Sequence, residues 1–279
     1  IPEEDIVAGK LDNYKVLYVN GVQIRRDAAQ KIADWTQSGG VLFGSSGAGT
    51  HDEFNRPLST LETVFGAKSS DLKLENDASR PKHQFRTLPI LDELSSVPNS
   101  GAPQVSFNQL SYRETLTPDA NAKVLLRNKE GAVAGVLHAF GKGQAIRLAA
   151  SPGLTYVNDA IRDKSYNAES YLPKNYNPAL RDFIAWPATL AKATRVAEAS
   201  TPITEITRYD GVTAGKARAV IFVIDHNATP YPNFSMTLPQ SAQFTKAYSA
   251  SGKPVTIKKI GDALQVSFAL DTTEAIVLE

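Results

Sequence analysis

Tyr14-Lys15-Val16-Leu17-Tyr18-Val19 is short, β-branched and aromatic, and reads as a buried strand. Ile24, Ala28, Ile32 and Trp35 follow at spacings of four, four and three, one face of an amphipathic helix. Gly39-Gly40 stops that helix, because glycine takes left-handed dihedrals without a Cβ clash. Val41-Leu42-Phe43 resumes as a strand. Strand, helix and strand joined by short links predict a right-handed βαβ unit and an α/β fold with an open, mostly parallel sheet.

Gly44-Ser45-Ser46-Gly47-Ala48-Gly49 then turns at the carboxyl end of a strand, the edge where open α/β sheets bind ligands. Leu61 to Phe65 reads as a short helix closed by Gly66. Ala67 to Asp119 has frequent Pro, Ser and Asn and short apolar runs, and reads as loops with a few edge strands. Strands return at Ala122 to Leu126, Ala132 to His138 and Gln144 to Ala149, the last two joined by a hairpin signal at Phe140-Gly141-Lys142-Gly143. A polar loop from Ser165 to Pro178 leads into a helix through Leu180, Ile184 and Leu190, which Pro187 is expected to kink or split. Glu198 to Pro202 reads as a linker. Beyond it, Thr204 to Tyr209, Arg218 to Asp225, Phe234 to Leu238, Phe244 to Tyr248, Ala263 to Phe268 and Ala275 to Leu278 are strand candidates without helical pattern between them. They predict a small antiparallel β-sandwich over residues 200–279, after an α/β domain over 1–199.

Bulk composition narrows the function. Thirty Lys and Arg nearly balance twenty-nine Asp and Glu, so no basic field draws nucleic acid or an anionic membrane. No apolar run approaches the roughly 20 residues that span a bilayer. Cysteine is absent, which removes disulfides, thiolate metal sites and a cysteine nucleophile together. It fits an exported protein that avoids stray thiols. The chain starts at Ile1 and its one methionine is Met236, so a longer polypeptide or upstream processing is expected.

Four stretches, in order, resemble the β-galactosidases of glycoside hydrolase family forty-two. Leu11-Asp12-Asn13 through Val19, the helix to Trp35 and Gly39-Gly40 resemble the strand, helix and glycine pair of that family's trimerisation domain. Asp52-Glu53-Phe54-Asn55-Arg56-Pro57 with Leu61 to Gly66 resembles the run after its third strand. Ala122-Lys123-Val124-Leu125 through Gly141-Lys142-Gly143-Gln144-Ala145 and Pro152-Gly153 resemble its closing hairpin. Phe222-Val223-Ile224-Asp225-His226-Asn227 resembles a strand of its C-terminal sandwich. The resemblance implies a flavodoxin-like, class I glutamine-amidotransferase-like sheet, lacking here its first strand and helix. It also implies a non-catalytic, oligomerising part of a larger enzyme. A catalytic domain upstream or on a separate chain would then be the partner, in a homo-oligomer.

Class I amidotransferases place a cysteine nucleophile on the turn that Ser45 and Ser46 occupy. A serine there needs a base within hydrogen-bond reach. His51, His83, His138 and His226 are the candidates, and none stands in a His-x-Glu context. A structural turn is therefore expected, with a serine hydrolase as the alternative. His51-Asp52-Glu53 offers metal-ligating types, but adjacent side chains point apart, so a solvated loop or an interface salt link is expected and no metal or cofactor. Tyr166, Tyr171 and Tyr176 share a loop with Asn167, Asn175 and Asn177. Rings that stack on sugars and amides that bond hydroxyls make a glycan contact the functional reading there, as in a carbohydrate-binding module. Rings packed on the sheet are the structural one.

Overall fold

The computed structural model describes residues 1–74, 88–160, 176–201, 203–226 and 229–279. They form two compact units, Ile1–Ala193 and Thr194–Glu279. In the first, helices α1 (Glu3–Val7), α2 (Arg26–Ser38), α3 (Thr60–Phe65), α4 (Pro152–Ala160) and α5 (Pro178–Leu190) accompany nine strands. These are β1 (Val16–Val19), β2 (Val41–Gly44), β3 (Ala67–Leu74), β4 (Ile90–Ser96), β5 (Ser106–Leu110), β6 (Tyr112–Pro118), β7 (Lys123–Asn128), β8 (Val133–Phe140) and β9 (Gly143–Leu148).

Seven strands make one mixed sheet in the order β1-β2-β9-β8-β7-β4-β5. The β1–β2 and β2–β9 pairs are parallel, as the βαβ reading requires, and the other four pairs are antiparallel. The sheet is therefore mixed rather than mostly parallel. Short returns replace helical crossovers beyond β9, and strands so connected must run antiparallel. β1 is the end strand of the sheet and only half buried, not the buried strand its composition suggested.

Strand alternation divides the core of this unit. Leu42 and Ala145 belong to a cluster with Ile32, Trp35, Leu61 and Phe65, while their neighbours Phe43 and Ile146 belong to a second with Leu180 and Phe183. Successive side chains of a strand face opposite ways, so helices cover both faces of the sheet. The four positions Ile24, Ala28, Ile32 and Trp35 are all buried, as the periodicity predicted.

The Gly-Lys-Gly hairpin is as tight as its sequence implied, with Phe140 paired to Gly143 across two residues. Gly141 takes φ +60° at the first central position, where a type II′ turn calls for glycine. Gly143 is needed for space, since a Cβ there would lie 2.0 Å from the Thr36 carbonyl oxygen and 2.3 Å from that of Gly40.

Three local readings change. The stretch from Ala67 to Asp119 supplies β3 to β6, and β4 is an interior strand hydrogen-bonded on both sides. Its apolar residues are few because only alternate side chains meet the core. α5 passes through Pro187 to Leu190 without splitting, since the proline lies in the last turn, where the helix has little left to lose. The Asn177 side chain caps its start, accepting from the amides of Ala179 and Leu180. α4 begins at Pro152, in a stretch for which the sequence pattern predicted no element.

The second unit holds β10 (Glu198–Ala199), β11 (Thr204–Thr213), β12 (Lys216–Asp225), β13 (Tyr231–Leu238), β14 (Ala247–Ser249), β15 (Val255–Ile260), β16 (Ala263–Leu270) and β17 (Thr273–Leu278). They pair as two four-stranded sheets, β10-β13-β16-β15 and β11-β12-β17-β14, with every pairing antiparallel. Ile221, Val223 and Ile276 of one sheet share a buried cluster with Phe234, Met236 and Val266 of the other. Glu198–Ala199, read as linker, is a short strand paired to β13. Phe244, read as a strand start, is instead a buried turn residue preceding the three-residue β14.

Candidate functional site

The carboxyl ends of β1, β2 and β9 lie side by side, and the chain leaves them at Asn20, Ser45 and Ala149-Ala150. Among them sits the glycine turn, buried from Gly44 to Gly49. Its backbone is fastened on several sides. The Ser45 amide donates to the Val19 carbonyl (3.1 Å), the Ser46 amide to that of Ala150 (3.1 Å), and the Gly49 amide to that of Gly21 (2.9 Å). Gly47 and Gly49 have φ of +77° and +64°, and a Cβ on Gly44 would lie 2.4 Å from the Phe65 ring. The glycines are there to make this packing possible.

A buried ion pair completes the fastening. Arg147 Nη2 donates to Glu114 Oε2 at 2.9 Å, and both side chains are almost wholly enclosed. Arg147 Nη1 donates to the Ala48 carbonyl at 2.7 Å, and its guanidinium lies 5.3 Å from the centroid of the Phe65 ring. Glu114 Oε2 also accepts from the Gly47 amide (3.2 Å) and the Ser69 hydroxyl (2.5 Å). A charge removed from water must be paired and hydrogen-bonded, and here both partners hold the turn as they hold each other.

Neither serine is set up as a nucleophile. Ser45 Oγ donates to Asn20 Oδ1 at 3.0 Å. Ser46 Oγ is buried without a hydrogen-bond partner. His51 Nδ1 lies 3.1 Å from Thr50 Oγ1, and His138 Nδ1 lies 2.9 Å from the Val64 carbonyl. His226 belongs to the second unit, against Glu205. His83 lies outside the described residues. Among the described residues, then, no imidazole meets either hydroxyl.

The His51-Asp52-Glu53 triplet anchors a loop. Asp52 is fully buried; its Oδ1 accepts from the amides of Phe54 (2.9 Å) and Arg56 (2.8 Å), and its Oδ2 accepts from Arg26 Nε (2.7 Å) and Arg26 Nη2. Burial pushes its pKa up, but these bonds outweigh burial and hold it below the ordinary 3.8. Glu53 Oε2 accepts from the Arg26 amide at 3.1 Å, at the first residue of α2, where a carboxylate meets unsatisfied amides and the positive helix end. Among the described residues, no three His, Asp or Glu side chains are grouped to hold a metal. Of the tyrosine loop, Tyr166, Tyr171, Asn167 and Asn175 lie outside the described residues. Tyr176 packs its ring 4.8 Å from that of Tyr156 on α4, and burial raises its pKa.

Beside the glycine turn opens a cleft of about 470 Å³, walled by Tyr18, Phe43, Tyr112 and Ile184, with Asn20, Ser45 and Ser151 contributing polar atoms. The Tyr18 and Phe43 rings stand 5.1 Å apart, and the Tyr18 hydroxyl donates to the Ile184 carbonyl at 2.7 Å. The cleft lies at the carboxyl ends of β1 and β2, the edge where open α/β sheets bind ligands. Arg147, Glu114 and Asn20 were not singled out from the sequence. A lone arginine inside the apolar run Ala145-Ile146-Arg147-Leu148-Ala149 was the available signal, since a charge in a buried strand requires a buried partner.

No family model matches the chain, and no curated protein does. Solved structures do. The β-galactosidase from Rahnella sp. R3 aligns over 96% of this chain and 32% of its own, at 16% identity and a TM-score of 0.62. A GH42 β-galactosidase from G. stearothermophilus aligns over 96% and 32%, at 14% identity and a TM-score of 0.55. The fold is that of one part of these β-galactosidases. α-L-Fucosidase isoenzyme 2 from Paenibacillus thiaminolyticus shares it over 96% of this chain and 41% of its own, at 14% identity and a TM-score of 0.58. The chain thus spans about a third of the length of the β-galactosidases it matches.

Proposed function

We propose that this chain is a non-catalytic accessory and oligomerisation portion of a β-galactosidase-like glycoside hydrolase. The observation that carries the proposal is the alignment of nearly the whole chain, both units included, with about a third of such enzymes. On this reading the first unit is a class I amidotransferase-like sheet without its nucleophile, and the second is an antiparallel sandwich. The turn that would bear a nucleophile is closed instead by Arg147 and Glu114. The half-buried edge strand β1, with Tyr18 exposed, suits contact with an additional strand or subunit. The partners are a catalytic domain, upstream or on a separate chain, and further copies of this chain.

Two measurements test the proposal. The purified chain should not turn over p-nitrophenyl β-galactoside, and light scattering coupled to gel filtration should find an oligomer or a complex with a catalytic partner. A stable monomer that binds no glycosidase domain, encoded by a gene with none, overturns it.

A further inference from the structure

The second unit has two outer sheet faces, and they differ in kind. Directly opposite residues on paired strands share a face, and successive residues alternate between faces. On β10-β13-β16-β15, Met236, Leu238, Leu264 and Val266 are buried. The outward rows between them are Ser235–Ser267–Thr256 and Thr237–Gln265–Lys258, polar as a solvated face requires. On β11-β12-β17-β14, Ala219, Ile221, Val223 and Ile276 are buried. Here the outward rows are Tyr209–Val220–Val277–Tyr248 and Thr207–Phe222–Ala275. Tyr209, Phe222 and Tyr248 are 62%, 46% and 47% exposed. A contiguous apolar patch of this kind marks an interaction surface.

We propose that this face packs on the same face of a second copy of the chain, in a two-fold dimer whose axis lies in the interface and crosses the strands. The proposal goes beyond the accessory reading, which puts subunit contact at the β1 edge, and needs no glycosidase partner.

Charge selects the occupant and the axis. An interface between identical faces must complement itself. At one end of the face Arg218 lies 2.6 Å from Glu279, and Lys246 is joined to Glu279 by two backbone bonds (2.9 and 3.0 Å). At the other end Glu205 stands opposite Ile224, with His226 3.5 Å away. An axis along the strands would set like end on like end. An axis across them sets Arg218 against the second copy's Glu205 and lays Phe222 over the second copy's Val220. Other occupants fit less well. The Tyr209 and Phe222 rings meet edge-on, at 81° and 6.0 Å, so they form no flat platform for a sugar chain. Mixed charge at the rim gives no basic field for an anionic membrane. Four strands about 4.8 Å apart, over seven residues at about 3.4 Å each, present roughly 400 Å² in projection. That is below the ~800 Å² per partner of a standard interface, so the dimer should be reversible, with a dissociation constant in the micromolar range.

Sedimentation equilibrium of the full chain, up to about 200 µM, should show a reversible dimer. Phe222→Glu should raise the dissociation constant tenfold or more, while Ser267→Glu, on the polar outer face, should leave it unchanged. Tyr248→Glu, on the edge strand β14, repeats the test should Phe222→Glu not fold. Glu205→Arg should also weaken the dimer, and adding Arg218→Glu should restore it. That rescue arises only between copies, because the two residues stand at opposite ends of the face within one chain. A wild type that stays monomeric, an association untouched by the folded Phe222→Glu or Tyr248→Glu variant, or a missing rescue overturns the proposal. An oligomer that Phe222→Glu leaves intact spares the accessory reading. A dimer abolished by Phe222→Glu, in a chain that binds no glycosidase domain and whose gene encodes none, spares this proposal alone.

Discussion

Replacing Arg147 with methionine probes the buried pair directly. The change removes the bond to Glu114 (2.9 Å), the bond to the Ala48 carbonyl (2.7 Å) and the stacking of the guanidinium on Phe65. It leaves a carboxylate enclosed without its counter-charge. Removing one partner of a buried pair costs about 3–5 kcal/mol, against a total domain stability of about 5–15 kcal/mol. The chain's two tryptophans, Trp35 and Trp186, both lie in Ile1–Ala193, so tryptophan fluorescence in urea reports the first unit alone. With a denaturant slope of about 3 kcal/mol per molar, the midpoint should fall by about 1–1.7 M. Arg147→Met combined with Glu114→Leu removes both charges. It should be at least about 2 kcal/mol more stable than the sum of the single losses predicts, because no orphaned charge remains. A single-variant shift below about 0.3 M, or strict additivity, would refute the reasoning, showing that the turn is held by its backbone bonds and that the charges reach water.

Further predictions address other parts of the molecule. Gly143→Ala must push on the carbonyls of Thr36 and Gly40, which are backbone and cannot swing away, so it should lower stability by about 2–3 kcal/mol or more. Gly131→Ala, with open space around it and only its φ of +86° to oppose, should lose about 1 kcal/mol in the same urea titration. Asp52 has a folded pKa below its ordinary 3.8, so its contribution is full above that value and fades as pH falls through the folded pKa. The urea midpoints of wild type and Asp52→Asn should therefore differ near neutrality and converge in acid; a gap that persists to about pH 2 contradicts the assignment. Any esterase activity in the preparation should survive the Ser45→Ala, Ser46→Ala double variant unchanged. A fragment of Thr194–Glu279 should unfold cooperatively on its own, since its buried cluster is internal to it; a molten circular dichroism spectrum would show otherwise.

The elements that were legible in the sequence are those where one period dominates. α2 shows its buried face because Ala28, Ile32 and Trp35, with Ile24 just before the helix, keep helical spacing. The β8–β9 hairpin is legible because only glycine fits at two of its four turn positions. β4 was not legible as an interior strand: Ile90-Leu91-Asp92-Glu93-Leu94-Ser95-Ser96 buries only Leu94 fully, and its place is fixed by ladder bonds to β5 and β7. Main-chain bonds of that kind leave little trace in side-chain pattern. β15 was missed for a related reason, since Val255-Thr256-Ile257-Lys258-Lys259-Ile260 lies on a sheet edge with no residue fully buried. At the site, the glycine turn was found by its composition. Glu114 was not, because its partner Arg147 is 33 residues away and no local rule links them.

That distant pair bears on how the turn at the carboxyl edge of the sheet is closed. A nucleophile turn works by exposing one side chain on a strained backbone, next to a base and to amides left free for a developing anion. Among the described residues, the exposed side chain, the neighbouring base and the free amides are all missing here. Ser46 is 3% exposed, the amides of Ser45, Ser46 and Gly47 are already bonded to Val19, Ala150 and Glu114, and the Ser45 hydroxyl is engaged by Asn20. Building a nucleophile turn here would require freeing the amides of Ser45, Ser46 and Gly47 and disturbing a buried ion pair, not merely substituting a cysteine. Ser45→Cys should accordingly remain inert toward acylating substrates even with its thiol present. The same fastening makes the carboxyl edge rigid, which suits the scaffold role proposed above.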